Sequence, residues 1–471
     1  MEAFPQGKTG FWRGLRMGDN LSAVTTVFTE FYYWVTVVFM FLIHVGFCMY
    51  EVGASRQRNH IHTLMKNTMV IPVVTITFFL FGWWIYWALP NGPFIYQGKG
   101  LILEGAVGAN LYTPWSEKMG TNLGDRLTDV FWAAFLLFSW TVASIVSGAL
   151  IERIRSGAFW IIAAMIGSVT WIIDAAWGWH FDGWMVKLLG YHDAYASGVI
   201  HAIGGGTALG VLIVLGPRLG RFTADGKPRE FVPHNPWLVT IGLFLIYTGF
   251  WGFYAACNVP IIAPETIGGQ ITGTTWTATT IYLTPTTLSA ITVNFIMSLA
   301  GGLLAGYLVS RGNPFWTYSG GLAGIITASA GNDLYHPIQA FFIGGIGIYV
   351  AYKLHYWVER TFKIDDAVGA VAVHGYAGFL GLVIAGFMLW GYPSSPFEGY
   401  AAINPLGNTI GAIIMFFVLG FLPGYVLAKI LNSFGLLRVP RQVELMGLDF
   451  KTLHDEEAAR EDVRRAEKAL A

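Results

Sequence analysis

The 471-residue chain is 54% hydrophobic and 12% charged, with 28 Lys plus Arg balancing 28 Asp plus Glu. An average soluble domain carries roughly 25% charged residues, so a soluble enzyme surface is excluded. A neutral chain also lacks the basic field that nucleic acid requires. Two cysteines, Cys48 and Cys257, make neither a disulfide scaffold nor a four-thiolate metal site. The 58 glycines follow no G-X-Y period and suit closely packed membrane helices. The composition is that of an all-α polytopic membrane protein.

Residues 1–23 are polar and include Lys8, Arg13 and Arg16. The first apolar stretch starts near Val24 and reads as a retained span, not a cleaved signal peptide. Segments long enough to cross ~30 Å of hydrocarbon fall at 24–50, 68–89, 130–150, 158–177, 195–216, 236–258, 286–309, 316–331, 338–356, 367–391 and 407–431, eleven in all. The eighth is the weakest, being short and rich in Gly, Ser and Thr. Odd-numbered loops carry Arg56, Arg58, Lys66, Arg153, Arg155, Arg218, Arg221, Lys227, Arg229, Arg311, Arg360 and Lys363. Even loops carry only Lys99, Lys118, Arg126 and Lys187. That bias places odd loops in the cytoplasm of a cell membrane, the N-terminus outside and the C-terminus inside. The basic residues before the first span pull the other way, and the summed bias outweighs them. Residues 432–471 form a charged cytoplasmic tail with a short surface helix expected after Asp455. It is either a solvated end or an element docked on the cytoplasmic loops.

Two histidines stand inside spans. His201 lies in GVIHAIGGG of span five and His374 in AVAVHGYAG of span ten, each eight residues after an aspartate, Asp193 or Asp366. A five-span unit repeated once runs antiparallel to its copy, so the expected architecture is a five-plus-five inverted repeat (24–216 and 236–391) with an additional C-terminal helix, 407–431. In such folds the working site lies near the midplane where the halves meet. A buried imidazole needs a partner or a lumen, and the glycines and alanines that follow each ring allow a bore beside it. Each histidine alone also fits a packing role; two at matching positions point to a shared site. Paired neutral imidazoles suit a small solute that both donates and accepts hydrogen bonds, or a relayed proton. They make a poor metal site without a third ligand. Asp193 and Asp366 read as helix-start carboxylates that accept backbone N–H bonds.

The segments DAYASGVIHAIGGG, IDDAVGAVAVHGYAG, VSGALIERIR, GASRQRN, FWGFYAACN and GLLRVPRQVELMGLD resemble motifs of the ammonium transporter and Rhesus protein family, closer to the ammonium transporter branch, and they occur along the chain in the family's order. The resemblance spans about residues 30 to 450. It implies a homotrimer of eleven-helix protomers, each with a narrow pore for ammonium or ammonia, no cofactor, and a possible cytoplasmic regulatory protein. It also implies that His201 and His374 are pore histidines, that Phe138 and Phe253 form a phenylalanine gate, and that Trp179, Cys257 and Asp193 belong to an outer recruitment site. Trp179 reads alternatively as an interfacial anchor, and Cys257 as a small buried hydrophobe. Four positions depart from the family pattern: Ala134 replaces a vestibule aromatic, with Phe131 and Phe135 nearby; Tyr254 replaces a small amide; Cys257 stands at a serine position; Gly369 stands where another Asp is usual.

Enzyme chemistry finds no support. The chain lacks a GxxxxGK[ST] phosphate loop, an HExxH zinc motif and a CxxC pair. The adjacent Asp365 and Asp366 would point to different sides of a helix. The function expected is ammonium or ammonia transport across a lipid membrane; the alternative is an ammonium-responsive sensor that keeps the transporter architecture.

Overall fold

In a computed structural model, residues 17–91, 112–120, 127–260, 266–267, 270–271, 278–449 and 456–470 are described; most of the N-terminal segment 1–23 lies outside them. The helices are α1 (Met17–Ala54), α2 (Gln57–Ala88), α3 (Thr128–Ala149), α4 (Ser156–Gly178), α5 (Ser197–Leu215), α6 (Pro236–Ala256) and α7 (Leu288–Val309). They continue as α8 (Pro314–Ala328), α9 (Pro337–Phe362), α10 (Val371–Met388) and α11 (Pro405–Ser433), with α12 (Arg441–Met446) and α13 (Glu456–Leu470) in the tail. Among the described residues, ten helices are long and apolar enough to cross a membrane. The eighth segment is a helix too, but only 15 residues long. The chain is an all-α polytopic membrane bundle.

Local sequence sets several helix starts. Asn235-Pro236, Asn313-Pro314 and Asn404-Pro405 each place an amide oxygen on a first-turn N–H, at 3.1, 3.2 and 2.8 Å, with proline where no N–H is needed. His336-Pro337 opens α9 in the same way, with Gln339 closing a capping box. Helix α2 begins at Gln57, well before residue 68, because its polar first turns bury Asn59, Thr63, Lys66 and Asn67 against α1 and α3. Lys66, expected in a loop, is therefore fully buried in a helix. The loop between α6 and α7 holds short strands that the apolar pattern did not announce: Asn258–Pro260 pairs antiparallel with Ala278–Thr280, which pairs with Pro285–Thr286.

Helices α5 and α10 open alike. Ala196 (φ +70°) and Gly369 (φ +67°) sit in the left-handed region one residue before or close to a helical first turn, which explains why glycine serves at 369. Each helix then begins with a π-helical stretch, Ser197–Ala202 and Val371–Tyr376, that contains its histidine. Asp193 accepts the N–H groups of Ser197, Gly198 and Val199 at 2.7, 2.8 and 3.1 Å. Asp366 accepts those of Ala370, Val371 and Ala372 at 2.9, 2.8 and 3.4 Å. The two helices cross with their backbones in contact. A Cβ built on Gly205 would lie 2.2 Å from Gly375 Cα, and one on Gly378 would lie 3.0 Å from the Ala202 nitrogen.

Gly205→Val should therefore force backbone apart and lower stability by about 1–3 kcal/mol or more, read as a drop in the thermal midpoint of the purified protein. Gly157→Ala, on an exposed helix position where an added methyl meets nothing within 4 Å, should leave that midpoint unchanged or raise it.

Candidate functional site

The crossing of α5 and α10 brings the two histidines together. His201 Nδ1 and His374 Nδ1 lie 3.0 Å apart, with ring centroids 5.2 Å apart and planes inclined by 22°. Both rings are buried. One ring must carry its proton on Nδ1 and the other on Nε2, because a nitrogen-to-nitrogen bond needs one donor and one acceptor. His201 Nε2 has no partner among the described residues. Phe250 and Phe253 stack on His201 at 5.8 and 5.6 Å, and Phe47 lies 6.0 Å from His374. Aromatic walls thus hold a hydrogen-bonded pair of imidazoles.

On one side of the pair, Phe138 and Phe253 meet edge to face at 4.7 Å. Trp179 packs edge to face on Phe138 at 4.9 Å, and Phe135 lies 6.1 Å from Trp179. The Trp179 ring is fully buried, and its N–H donates to the Asp193 carbonyl at 2.9 Å. An interfacial anchor would stand at the surface, so this tryptophan offers ring surface to the interior. Cys257 is buried as well, its thiol donating to the Phe253 carbonyl at 3.1 Å. Tyr254 stacks on Tyr195 at 4.2 Å and bonds Ser329 Oγ at 2.7 Å, so it is a packing residue of this wall. Ala134 is buried, and the neighbouring rings of Phe131 and Phe135 lie 4.7 Å apart.

On the other side of the pair, residues of α1, α3, α8 and α10 border a small cavity. This cavity, of about 10 Å³ for the centre of a water-sized molecule, is bounded by His374, Phe47, Tyr50, Glu51, Ser144 and Val368. A separate, larger cavity of 240 Å³ has Ala54, Phe231, Trp316, His355, Asp366 and Gly369 in its walls. Trp316 covers Gly369, its ring 3.1 Å from where a Cβ would stand.

Beside the larger cavity stands a buried ion cluster. Arg218 binds Asp365 with two nitrogens, at 2.8 and 2.9 Å, and reaches Glu152 at 3.4 Å. Arg56 binds Glu152 at 2.9 Å, Arg221 pairs with Glu359, and the Phe231 ring lies 4.9 Å from the Arg218 guanidinium. The tail docks here. Glu444 receives Arg438 at 2.8 Å and the Leu219 N–H at 2.7 Å, while Asp449 receives the N–H groups of Ile61 and His62 at 2.9 and 2.7 Å. Burial alone would raise the Asp365 carboxyl, but the Arg218 and Arg153 guanidiniums hold it well below the usual carboxylate range. Glu152 is likewise held low by Arg218 and Arg56 against the opposing pull of burial.

The sequence reading missed Glu51 and Lys66, a buried pair in α1 and α2 at 3.4 Å. Their signal was an acid in the last turn of an apolar helix and a base fifteen residues on, facing each other across a tight helix–helix turn. It also missed His192, whose Nε2 meets Asp333 at 3.1 Å. Among the described residues, no three His, Cys, Asp or Glu side chains gather as metal ligands.

The profile of the Ammonium Transporter Family matches residues 31–459. The chain belongs to that family. It is 30% identical to the ammonium transporter Amt2 of Methanocaldococcus jannaschii over 434 residues, which cover 91% of each chain. It is also 30% identical to Amt2 of Archaeoglobus fulgidus, covering 88% of this chain and 84% of that one. Among solved structures, a sensor Amt protein superposes with a TM-score of 0.71 over 91% of this chain and 98% of its own, at 22% identity. The Rh50 protein of Nitrosomonas europaea superposes with a TM-score of 0.62, at 19% identity, over 94% of this chain and 97% of its own. These two likenesses show a shared fold. This ammonium transporter family chain is thus a multi-pass membrane protein of a channel-like transporter class, and not an enzyme.

The ion cluster makes a pH prediction. An unfolded Asp titrates near ~3.9 and the folded Asp365 lower, so its stabilisation is complete above that value and is lost as pH falls through the folded one. Asp365→Asn should cost about 3–5 kcal/mol by leaving the buried Arg218 with only the longer Glu152 contact. The gap in thermal midpoint between the two proteins should hold from pH 8 to about 5 and narrow below about pH 4.

Proposed function

We propose that the chain carries ammonium or ammonia across a cell membrane through the passage beside His201 and His374. The observation that carries this reading is the 3.0 Å bond between two buried imidazoles walled by phenylalanines. Its architecture is eleven spans, 24–216 and 236–391 forming an inverted repeat and 407–431 the additional helix, flanked by an extracytoplasmic segment 1–23 and a cytoplasmic tail 432–471. The matched openings of α5 and α10 support the repeat. The buried cluster of loop charges, and the positive charge of odd loops, support an N-terminus outside and a C-terminus inside. The protomers form a homotrimer, as the family resemblance implies.

In this reading an ammonium ion arrives outside near Trp179, where ring faces supply ~0.5–2 kcal/mol of cation–π attraction. Trp179 and Asp193 act together there: the indole N–H is already spent on the Asp193 carbonyl, leaving the ring face as the recognition surface. Cys257 contributes shape, since its thiol is bound to backbone. The edge-to-face contact of Phe138 and Phe253 is the gate, and a cation passing intact would lose its hydration there at large cost. The ion releases a proton at this barrier. Ammonia crosses beside the rings, and the proton passes along the Nδ1–Nδ1 bond and rejoins it on the cytoplasmic side. Asp366 holds the start of α10 and keeps His374 in register.

The test is charge movement in proteoliposomes under ammonium, methylammonium and potassium gradients. The wild type should give an ammonium-dependent current absent from empty vesicles. His201→Asp with His374→Asp should lower it on the order of 10²-fold, with the flux of uncharged ammonia retained. Tight ammonium binding with no flux would replace transport by the sensor reading.

A further inference from the structure

We propose that Glu51 is the proton acceptor on the cytoplasmic side of the histidine pair, where ammonium is re-formed; the assignment rests on the transport reading above. Glu51 and His374 border the same small cavity, with Phe47, Tyr50, Ser144 and Gly148. The cavity admits about one molecule the size of water or ammonia. Glu51 is fully buried, yet only one of its oxygens is used. Oε2 accepts the Ser147 hydroxyl at 2.7 Å and Lys66 Nζ at 3.4 Å, whereas Oε1 has no partner among the described residues.

The surroundings fix the carboxylate without satisfying it. Lys66 also donates to the Ser147 carbonyl at 3.0 Å and lies 5.0 Å over the Phe159 ring, and it is not among the residues that border the cavity. Ser147 Oγ lies 2.6 Å from Asn67 Oδ1, and Asn67 Nδ2 is unpartnered. The Asn67 amide also faces Glu51, and the single Ser147 hydroxyl proton is shared between Glu51 Oε2 and Asn67 Oδ1. The other titratable neighbours on α1 are His44, bonded to Ser144 Oγ at 3.1 Å, and Cys48. A buried ion pair seldom adds stability over an apolar pair of the same volume. A carboxylate oxygen beside a cavity can accept a proton.

The step balances. The proton leaving the imidazole pair crosses the cavity and adds to Oε1, converting the carboxylate to a carboxylic acid. Ammonia arriving past His374 takes that proton, restoring the carboxylate and forming ammonium. While Glu51 is neutral, Lys66 is a positive charge without its counterion, and its field favours release of the proton to ammonia. The ammonium ion then enters the 240 Å³ cavity beyond Ala54, where Asp366 and the Trp316 ring stand in the wall.

The experiment measures ammonium-driven current and thermal midpoint for the full chain in proteoliposomes, comparing the wild type with Glu51→Gln, Lys66→Gln and the Glu51→Gln/Lys66→Gln double variant. Glu51→Gln should lower the current at least on the order of tenfold. The double variant, with no unbalanced charge, should regain the wild-type midpoint but not the current, and it keeps the test valid where a single variant fails to fold. Wild-type current in Glu51→Gln, or recovery of both midpoint and current in the double variant, would overturn the assignment and leave a structural ion pair. A wild type without ammonium current would instead remove the transport reading, and this assignment with it.

Discussion

Everything at the centre of the bundle depends on how closely two helices approach. Imidazoles on α5 and α10 can bond directly only if the backbones behind them touch. That contact is made by Gly205 against Gly375 and by Gly378 against Ala202. Any side chain at these points would separate the helices and leave each ring to find another partner, in a place where an unsatisfied polar group costs several kcal/mol. The helix starts serve the same end. Asp193 and Asp366 fasten the first N–H groups, and the π-helical stretches rotate the histidines toward each other. Placement of two neutral rings is therefore set by backbone geometry on both sides, not by the rings themselves.

A second constraint governs the end of the bundle where the tail docks. Loops between membrane helices carry charges that must be satisfied where they meet the bundle, and here they satisfy one another. Arg218, Arg221, Arg56, Asp365, Glu359 and Glu152 join the ends of several helices, and Glu444 and Asp449 bring the tail into the same network. The motifs GASRQRN, VSGALIERIR and GLLRVPRQVELMGLD, which carry the family resemblance, come together in this cluster. Their residue types are explained by mutual charge pairing as well as by function. Of the two readings of the tail, the docked one describes residues 437–449, which bond to the loops at Arg58, at Arg153 and at Leu219.

Much of this was legible in the sequence. Apolar segments located the helices, because hydrocarbon thickness imposes a length that composition reveals; only α8, with 15 residues, falls short of it. His201 and His374 were legible because a polar residue within an apolar helix has few explanations. What stayed hidden were contacts between distant elements whose residues look ordinary. Lys66 read as a loop cation, since hydropathy cannot see that Glu51 and Ser147 wait opposite it. Trp179 could be placed near the gate by resemblance, but its burial and its bond to the Asp193 carbonyl follow from the fold of the 179–196 segment, which has no simple period. Gly369 read as a departure from the second motif, at a place where another Asp is usual. It is a left-handed position, matched by Ala196 at the start of α5.

The central claim is a direct bond between two unlike histidine tautomers in a dry passage. Nitrogen-15 NMR of the membrane-embedded protein, labelled at histidine and assigned with single substitutions, tests it most directly. The account predicts one ring protonated at Nδ1, the other at Nε2, and a scalar coupling between the two Nδ1 nuclei at neutral pH. Two rings protonated at the same position, uncoupled and in exchange with bulk water, would contradict it.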